Sequence, residues 1–168
     1  MRATLHLSKL LAIAALAAIA ASAQAQTTAT TTFQVRITIQ GTCLISSATD
    51  IDFGTQLSAA STYSQTGTIN VQCTNGLPFT LGLNGGTVTG DVNARAMEST
   101  AGTRIPYTLS HDSTGTNWGN DAPSWYSGTG TGIGPGYNIP LTVYATATVG
   151  GTEPVGQYLD TVTATISY

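Results

Sequence analysis

Apolar and polar residues alternate along most of this chain. Phe33, Val35, Ile37 and Ile39 alternate with Gln34, Arg36 and Thr38. Ile51 and Phe53 alternate within Asp50-Ile51-Asp52-Phe53-Gly54. Ile69, Val71 and Cys73 form another run, followed by Phe79, Leu81 and Leu83. After a short segment at 94–99 come Ile105, Tyr107 and Leu109. Ile139, Leu141, Val143 and Ala145 then alternate with Thr142, Tyr144 and Thr146, and Val162, Ala164, Ile166 and Tyr168 close the sequence. A period of two puts successive side chains on opposite faces, so each run predicts a half-buried strand. Asn75-Gly76, Asn84-Gly85-Gly86 and Gly150-Gly151 read as turns between them. No segment carries a helical period. About seven or eight short strands separated by Gly and Asn predict an all-β sandwich.

The first residues follow a different pattern. Arg2 and Lys9 precede an apolar run over residues 10–20, and Ala23-Gln24-Ala25 supplies the small residues of a cleavage site. Residues 1–25 therefore read as a secretory signal peptide, with the mature chain starting at Gln26 and Ala21-Ser22-Ala23 as a second site. The run is too short and too rich in alanine for a stable membrane span. No second long apolar run follows, so no membrane insertion of the mature chain is expected. About 140 residues remain, enough for one domain with a real core.

Composition narrows the function. Charged residues make up 8% of the chain, far below the usual quarter or so. The cations after residue 25 are Arg36, Arg95 and Arg104, with no lysine. Nucleic acid and anionic lipid are thus poor partners. Cys43 and Cys73 are the two cysteines. In an exported chain an even count predicts a disulfide, with Cα atoms about 4.4–6.8 Å apart. It ties the first sandwich strand, near Cys43, to a neighbour ending at Cys73. The closed loop of about 30 residues is worth roughly 3–4 kcal/mol in the chain-entropy model. One thiol pair and two histidines, one of them His6 in the signal, cannot build a closed zinc site.

Residues 110–135 form a long stretch of Gly, Ser, Thr, Asn and Asp in which Trp118, Trp125 and Tyr126 are embedded. Two readings stay open: the rings cap one end of the sandwich, or they form a surface-binding loop. Catalytic chemistry is not apparent. Ser110-His111-Asp112 are neighbours on a strand end and point to opposite sides, which is not triad geometry. The glycines between 128 and 134 lack the lysine and the helix of a phosphate cradle and read as a flexible loop. The acidic residues at 112 and 121 lack calcium-loop spacing. No enzyme, metal or cofactor is expected.

The two ends carry the functional signal. A polar run at 27–32 leads into the alternating segment Phe33, Val35, Ile37, Ile39, and the sequence closes in mid-strand on Val162, Ala164, Ile166 and Tyr168. A sandwich that ends on its sixth strand leaves an unpaired apolar edge, an aggregation hazard that a strand from another molecule can cover. The N-terminal segment has the design of such a donor strand. The alternative is an ordinary first strand of its own domain.

The sequence also resembles the spore coat protein U family, pilin-like subunits of archaic chaperone–usher pili. The matching pieces are Ile51-Asp52-Phe53-Gly54, Ile69-Asn70-Val71-Gln72-Cys73, Arg95-Ala96-Met97, Tyr107-Thr108-Leu109 and Trp118-Gly119. The last is the closing run Gly156-Gln157-Tyr158-Leu159-Asp160-Thr161-Val162-Thr163-Ala164-Thr165-Ile166-Ser167-Tyr168. The resemblance implies an incomplete immunoglobulin-like, pilin-type β-sandwich completed by a donor strand. It divides the chain into a signal peptide (1–25), an N-terminal donor-strand extension (26–41) and the incomplete domain (42–168). A periplasmic chaperone, an outer-membrane usher and identical or related pilin subunits are the implied partners, and the implied location is a surface pilus supporting adhesion or biofilm formation. The donor is Phe33, Val35, Ile37 and Ile39. The acceptor edge is Val162, Ala164, Ile166 and Tyr168, facing the strand after Cys43. One position after Leu109, where the family often has a second Tyr, this chain has Ser110. Chain length favours a shaft subunit over a tip adhesin. A carbohydrate-binding or adhesive module using the loop aromatics and a spore-coat structural role are the alternatives.

Overall fold

The computed structural model describes residues 26–168, so the expected signal peptide lies outside the described residues. These fall into two units. In the first, residues 26–37 form no helix or strand. The second, Thr38–Tyr168, is an antiparallel β-sandwich. Its elements are β1 (Cys43–Ala48), β2 (Ser61–Cys73), β3 (Pro78–Leu83), the single turn α1 (Gly86–Thr89), β4 (Ala96–Ser99), β5 (Arg104–Ser110), β6 (Tyr126–Thr129), β7 (Ile139–Val149), β8 (Tyr158–Leu159) and β9 (Ala164–Ser167).

A six-stranded sheet runs in the order β1-β2-β7-β5-β4-β8, and a three-stranded sheet in the order β6-β3-β9. Every pair is antiparallel. The period-two pattern explains the core. Ile69, Val71 and Cys73 of β2 point inward with Leu141, Val143 and Ala145 of β7 and Ile105, Tyr107 and Leu109 of β5. They meet Phe79, Leu81 and Leu83 of β3. Intervening threonines such as Thr66 and Thr142 stay exposed. Burying a large aliphatic or aromatic side chain is worth about 1.5–3 kcal/mol, so these four strands hold the domain together.

Cys43 and Cys73 are register partners across β1 and β2 and are joined by a disulfide. Thr74 N–H donates to the Thr42 carbonyl at 2.9 Å, while the Cys73 carbonyl accepts from Gly132 N–H at 2.9 Å. The cysteines thus occupy a non-hydrogen-bonded pair, where opposed Cα atoms come closest, at about 4.5 Å. Their Cα separation of 4.1 Å is slightly shorter than the sequence-based range.

Three expectations change. Residues 50–54 are not a strand. Asp52 Oδ1 accepts the Gly54 N–H at 2.7 Å, which turns the chain. Ile51 and Phe53 still pack on the core as half-buried residues, Ile51 lying over Gly67 of β2, where a Cβ would come within 2.8 Å of it. The stretch at 110–135 contains a strand, β6, which pairs with β3. Gly128 sits opposite Phe79, and a Cβ there would lie 2.6 Å from the Phe79 ring. That glycine is required by a close approach, so the segment is not the flexible loop its composition suggests. Finally, Phe33, Val35, Ile37 and Ile39 belong to no strand of this chain.

Candidate functional site

The candidate site is a pair of strand edges. β1 lies at one edge of the larger sheet and β9 at one edge of the smaller. The two strands approach each other, yet among the described residues neither outer edge pairs with another strand. Apolar side chains on both sides are only half covered. Ile45, Ile51 and Phe53 lie on the β1 side, and Val162, Ala164 and Ile166 on the β9 side, all packed against the core. Tyr168 lies past the end of β9 and is exposed. β1 is interrupted by a register shift between Ile45 and Ser47, where Ser46 Oγ bonds the Asn70 carbonyl at 3.1 Å. Phe33, Val35, Ile37 and Ile39 are 84%, 87%, 82% and 72% exposed. A row of bare apolar side chains on an unpaired segment has no place in a free soluble chain.

The lead-in to β9 is held by a polar hub that sequence reasoning noticed only as family motifs. Asp160 accepts from Tyr107 Oη at 2.6 Å, Thr87 N at 2.8 Å, Thr87 Oγ1 at 3.0 Å, Val88 N at 3.1 Å and Thr161 N at 2.8 Å. Asn84 Oδ1 accepts from Thr163 N at 2.8 Å, and Asn84 N–H donates to the Thr163 carbonyl at 3.0 Å. Arg95, 1% exposed, fixes Asn84 in turn. Its Nε donates to the Asn84 carbonyl at 2.9 Å, and its Nη2 donates to the carbonyls of Leu83 and Trp118 at 2.9 and 2.7 Å. Its Nη1 donates to the Val92 carbonyl and to Asn117 Oδ1 at 3.2 and 3.3 Å. Among the described residues no buried side-chain nitrogen or oxygen lacks a partner. One available signal was rarity, since Arg95 is one of only three cations after residue 25.

Burial lowers the Arg95 pKa, opposed by Tyr107, Asp160 and Asp91. Burial, then the bond to Asp160, pushes the Tyr107 phenol well above its usual range. Partial burial works against the charged form of Asp160, but the bonds from Tyr107, Thr161 and Thr87 together outweigh it and hold the carboxyl below its ordinary 3.8. A depressed carboxyl contributes stability above the unfolded value and loses it as pH falls through the folded one. The domain should therefore weaken as pH drops below about 4. Asp160→Asn should flatten this acid limb and cost about 1–2 kcal/mol at neutral pH, the low end because solvent reaches the carboxylate. Urea unfolding of both proteins across a pH series checks this, and parallel acid limbs would contradict it.

The loop aromatics do not form one binding platform. Trp118 is 0% exposed. Its Nε1 donates to the Leu81 carbonyl at 2.7 Å, and the His111 and Tyr126 rings lie 5.9 and 6.1 Å from its own. A ring with no free face cannot stack on a ligand, so Trp118 leaves the surface-binding set and plugs the sandwich. Tyr126 lies on β6, half-buried beside Phe79, and Trp125 is half-buried as well. Ser110 Oγ donates to the carbonyls of Asp112 and Tyr144. His111 Nδ1 lies 3.7 Å from Asp112 Oδ2, and the other carboxylate oxygen binds Thr114 and Thr116. These contacts cap a turn and activate no nucleophile. Among the described residues no His, Cys, Asp and Glu side chains cluster in a metal-holding group.

Two packed antiparallel sheets, the larger cross-linked by a disulfide between β1 and β2, with two neighbouring edges left open, are the architecture of an incomplete, pilin-type immunoglobulin-like sandwich. The family model for the Spore Coat Protein U domain matches residues 29–165, and the chain belongs to that family. It is similar to a chain in the crystal structure of the CsuC-CsuE chaperone-tip adhesion subunit pre-assembly complex, from the archaic chaperone-usher Csu pili of Acinetobacter baumannii. The two are 28% identical with a TM-score of 0.54, and the match covers 78% of this chain and 40% of that one. The match thus takes in less than half of that chain's length. No curated protein matches the chain.

Proposed function

We propose that this protein is a non-enzymatic structural subunit of a bacterial surface pilus. It is exported through the periplasm, held there by a chaperone, and joined to like subunits at an outer-membrane usher by donor-strand complementation. The fibre serves adhesion or biofilm formation. The observation that carries this reading is the coexistence, in one chain, of an open apolar edge and a bare alternating segment that matches it. Residues 33–39 and 162–168 are equally long, and antiparallel alignment sets Phe33, Val35, Ile37 and Ile39 opposite Tyr168, Ile166, Ala164 and Val162. Burying four such side chains contributes about 6–12 kcal/mol before the costs of ordering. The antiparallel sense follows the sandwich, in which every other pair has it. Residues 1–25 act as the signal, 26–41 as the donor extension and 42–168 as the incomplete domain. Membership in the Spore Coat Protein U domain family and the likeness to a chain of a chaperone–pilus subunit complex support this assignment.

Deleting residues 27–39 tests it. The truncated subunit should still be oxidised and recovered with its chaperone, and should give no surface polymer on an immunoblot of sheared cells. Wild-type levels of polymer from the deletion would contradict the reading.

A further inference from the structure

The donor-strand reading leaves open what else successive subunits touch, and strand direction gives an answer. One end of the sandwich carries the Cys43–Cys73 bridge, with Gly132 bonded to Cys73 and Gln72 Nε2 bonded to Asn138 Oδ1 at 2.6 Å. Ile133 and Tyr137, on the loop before β7, are exposed at this end. The opposite end is where Ser61 of β2 meets Val149 of β7. There the loop before β2 and the loop after β7 are joined, Ser58 Oγ donating to the Glu153 carbonyl at 2.9 Å. The Glu153 carboxylate is itself occupied by the amides of Gly150, Gly151 and Thr152. Leu57 and Val155 stand on these two loops, 81% and 99% exposed. Residues 54–60, 130–138 and 150–156 contain a single charged side chain, Glu153. These three loops therefore bring no like-charge repulsion to a contact between the two ends.

β9 runs from the Leu57 end toward the disulfide end. Ala164 is opposite Leu83 and Ser167 opposite Thr80, on a β3 that starts beside the bridge. Asp160, just before β9, is bonded to Tyr107, whose partner Ala147 lies two residues from Val149. A donor antiparallel to β9 enters at the disulfide end of its acceptor and finishes at the Leu57 end. Its last apolar residue, Ile39, is four Cα steps from Cys43 of its own domain, a reach of at most about 14 Å. The donating domain must then sit with its disulfide end against the acceptor's Leu57 end.

We propose, on the basis of the donor-strand reading, that Ile133 and Tyr137 of each subunit cover Leu57 and Val155 of the subunit it completes. The partner is a second copy of this chain. The contact is small and sets the angle between neighbours, while the donor strand supplies the affinity.

Val155 replaced by p-benzoylphenylalanine tests the contact, because so exposed a position tolerates the bulk. Fibres of this variant are irradiated, digested and read by mass spectrometry. The expected product joins position 155 to a peptide of residues 130–138 from another copy, and chaperone-bound monomer yields none. A detergent-resistant polymer ladder whose cross-links lie elsewhere, in a foreign molecule, or are absent overturns the contact and leaves the donor reading standing. Absence of the ladder in the unsubstituted protein overturns both.

Discussion

A subunit carrying Ile37→Asp should reach the periplasm, close its Cys43–Cys73 bridge and bind chaperone, yet form no fibre. Ile37 is exposed in its own chain, so the substitution leaves the subunit's core intact. In the neighbour's groove it does two things. It removes an aliphatic burial worth about 1.5–3 kcal/mol, and it puts an unpaired carboxylate into an apolar site at a cost of several kcal/mol more. Set against a gross donor contribution of about 6–12 kcal/mol, that is most of the driving force. One blot for soluble chaperone-bound subunit and one for surface polymer read the outcome. If the segment were instead a strand of its own domain, the first signal would vanish together with the second.

Arg95→Met should have the largest effect on the fold. The guanidinium is buried and all its nitrogens donate, four of the five bonds going to backbone carbonyls. Methionine keeps the stem and strips the fork, stranding the Leu83 and Trp118 carbonyls in the interior at about 1–3 kcal/mol each. Loosened Asn84 contacts to Thr163 bring the expected loss to about 3–5 kcal/mol, a large part of a domain's usual 5–15 kcal/mol. Arg95→Lys should recover little, because an ammonium cannot fork across separated carbonyls. In a self-complemented form, with residues 33–39 repeated after Tyr168 on a short linker, the urea midpoint should fall by about 2 M at an m-value near 2 kcal/mol/M. A fall under about 0.5 M would mean that the fork is not what clamps the last strand.

Elements that bury one face were legible in the sequence. β5, β7 and the Ile69–Cys73 half of β2 alternate because each lies between the core and solvent, as Phe79, Leu81 and Leu83 do in β3. The bridge between β1 and β2 followed from two cysteines in a chain whose first residues read as an export signal. β6 was hidden because Gly128 carries no side chain to alternate, its position being dictated by the Phe79 ring across from it. Residues 50–54 alternate like a strand because Ile51 and Phe53 do pack on the core, but a side-chain-capped turn takes up the backbone bonds that a ladder would use. Trp118 looked available among glycines and serines, yet the loop folds back and seats it above Leu81. Arg95 and Asp160 were visible as residues and silent as a hub, because their bonds span elements far apart in the chain. The segment at 33–39 alternates as a strand does, yet among the described residues it pairs with no strand. That mismatch between pattern and pairing is what the functional reading explains.

The most direct test is a cross-link that only two different chains can form. Subunits carrying Ile37→Cys and subunits carrying Ala164→Cys, each purified with chaperone, are mixed, allowed to assemble and oxidised. Antiparallel alignment of the donor with β9 sets these positions opposite each other. A dimer band that appears only in the mixture and disappears on reduction is the predicted result, with Thr38→Cys, one residue along and facing away, giving far less. No such band despite assembly, or an intrachain bond without dimer when one chain carries both cysteines, would contradict donation between subunits.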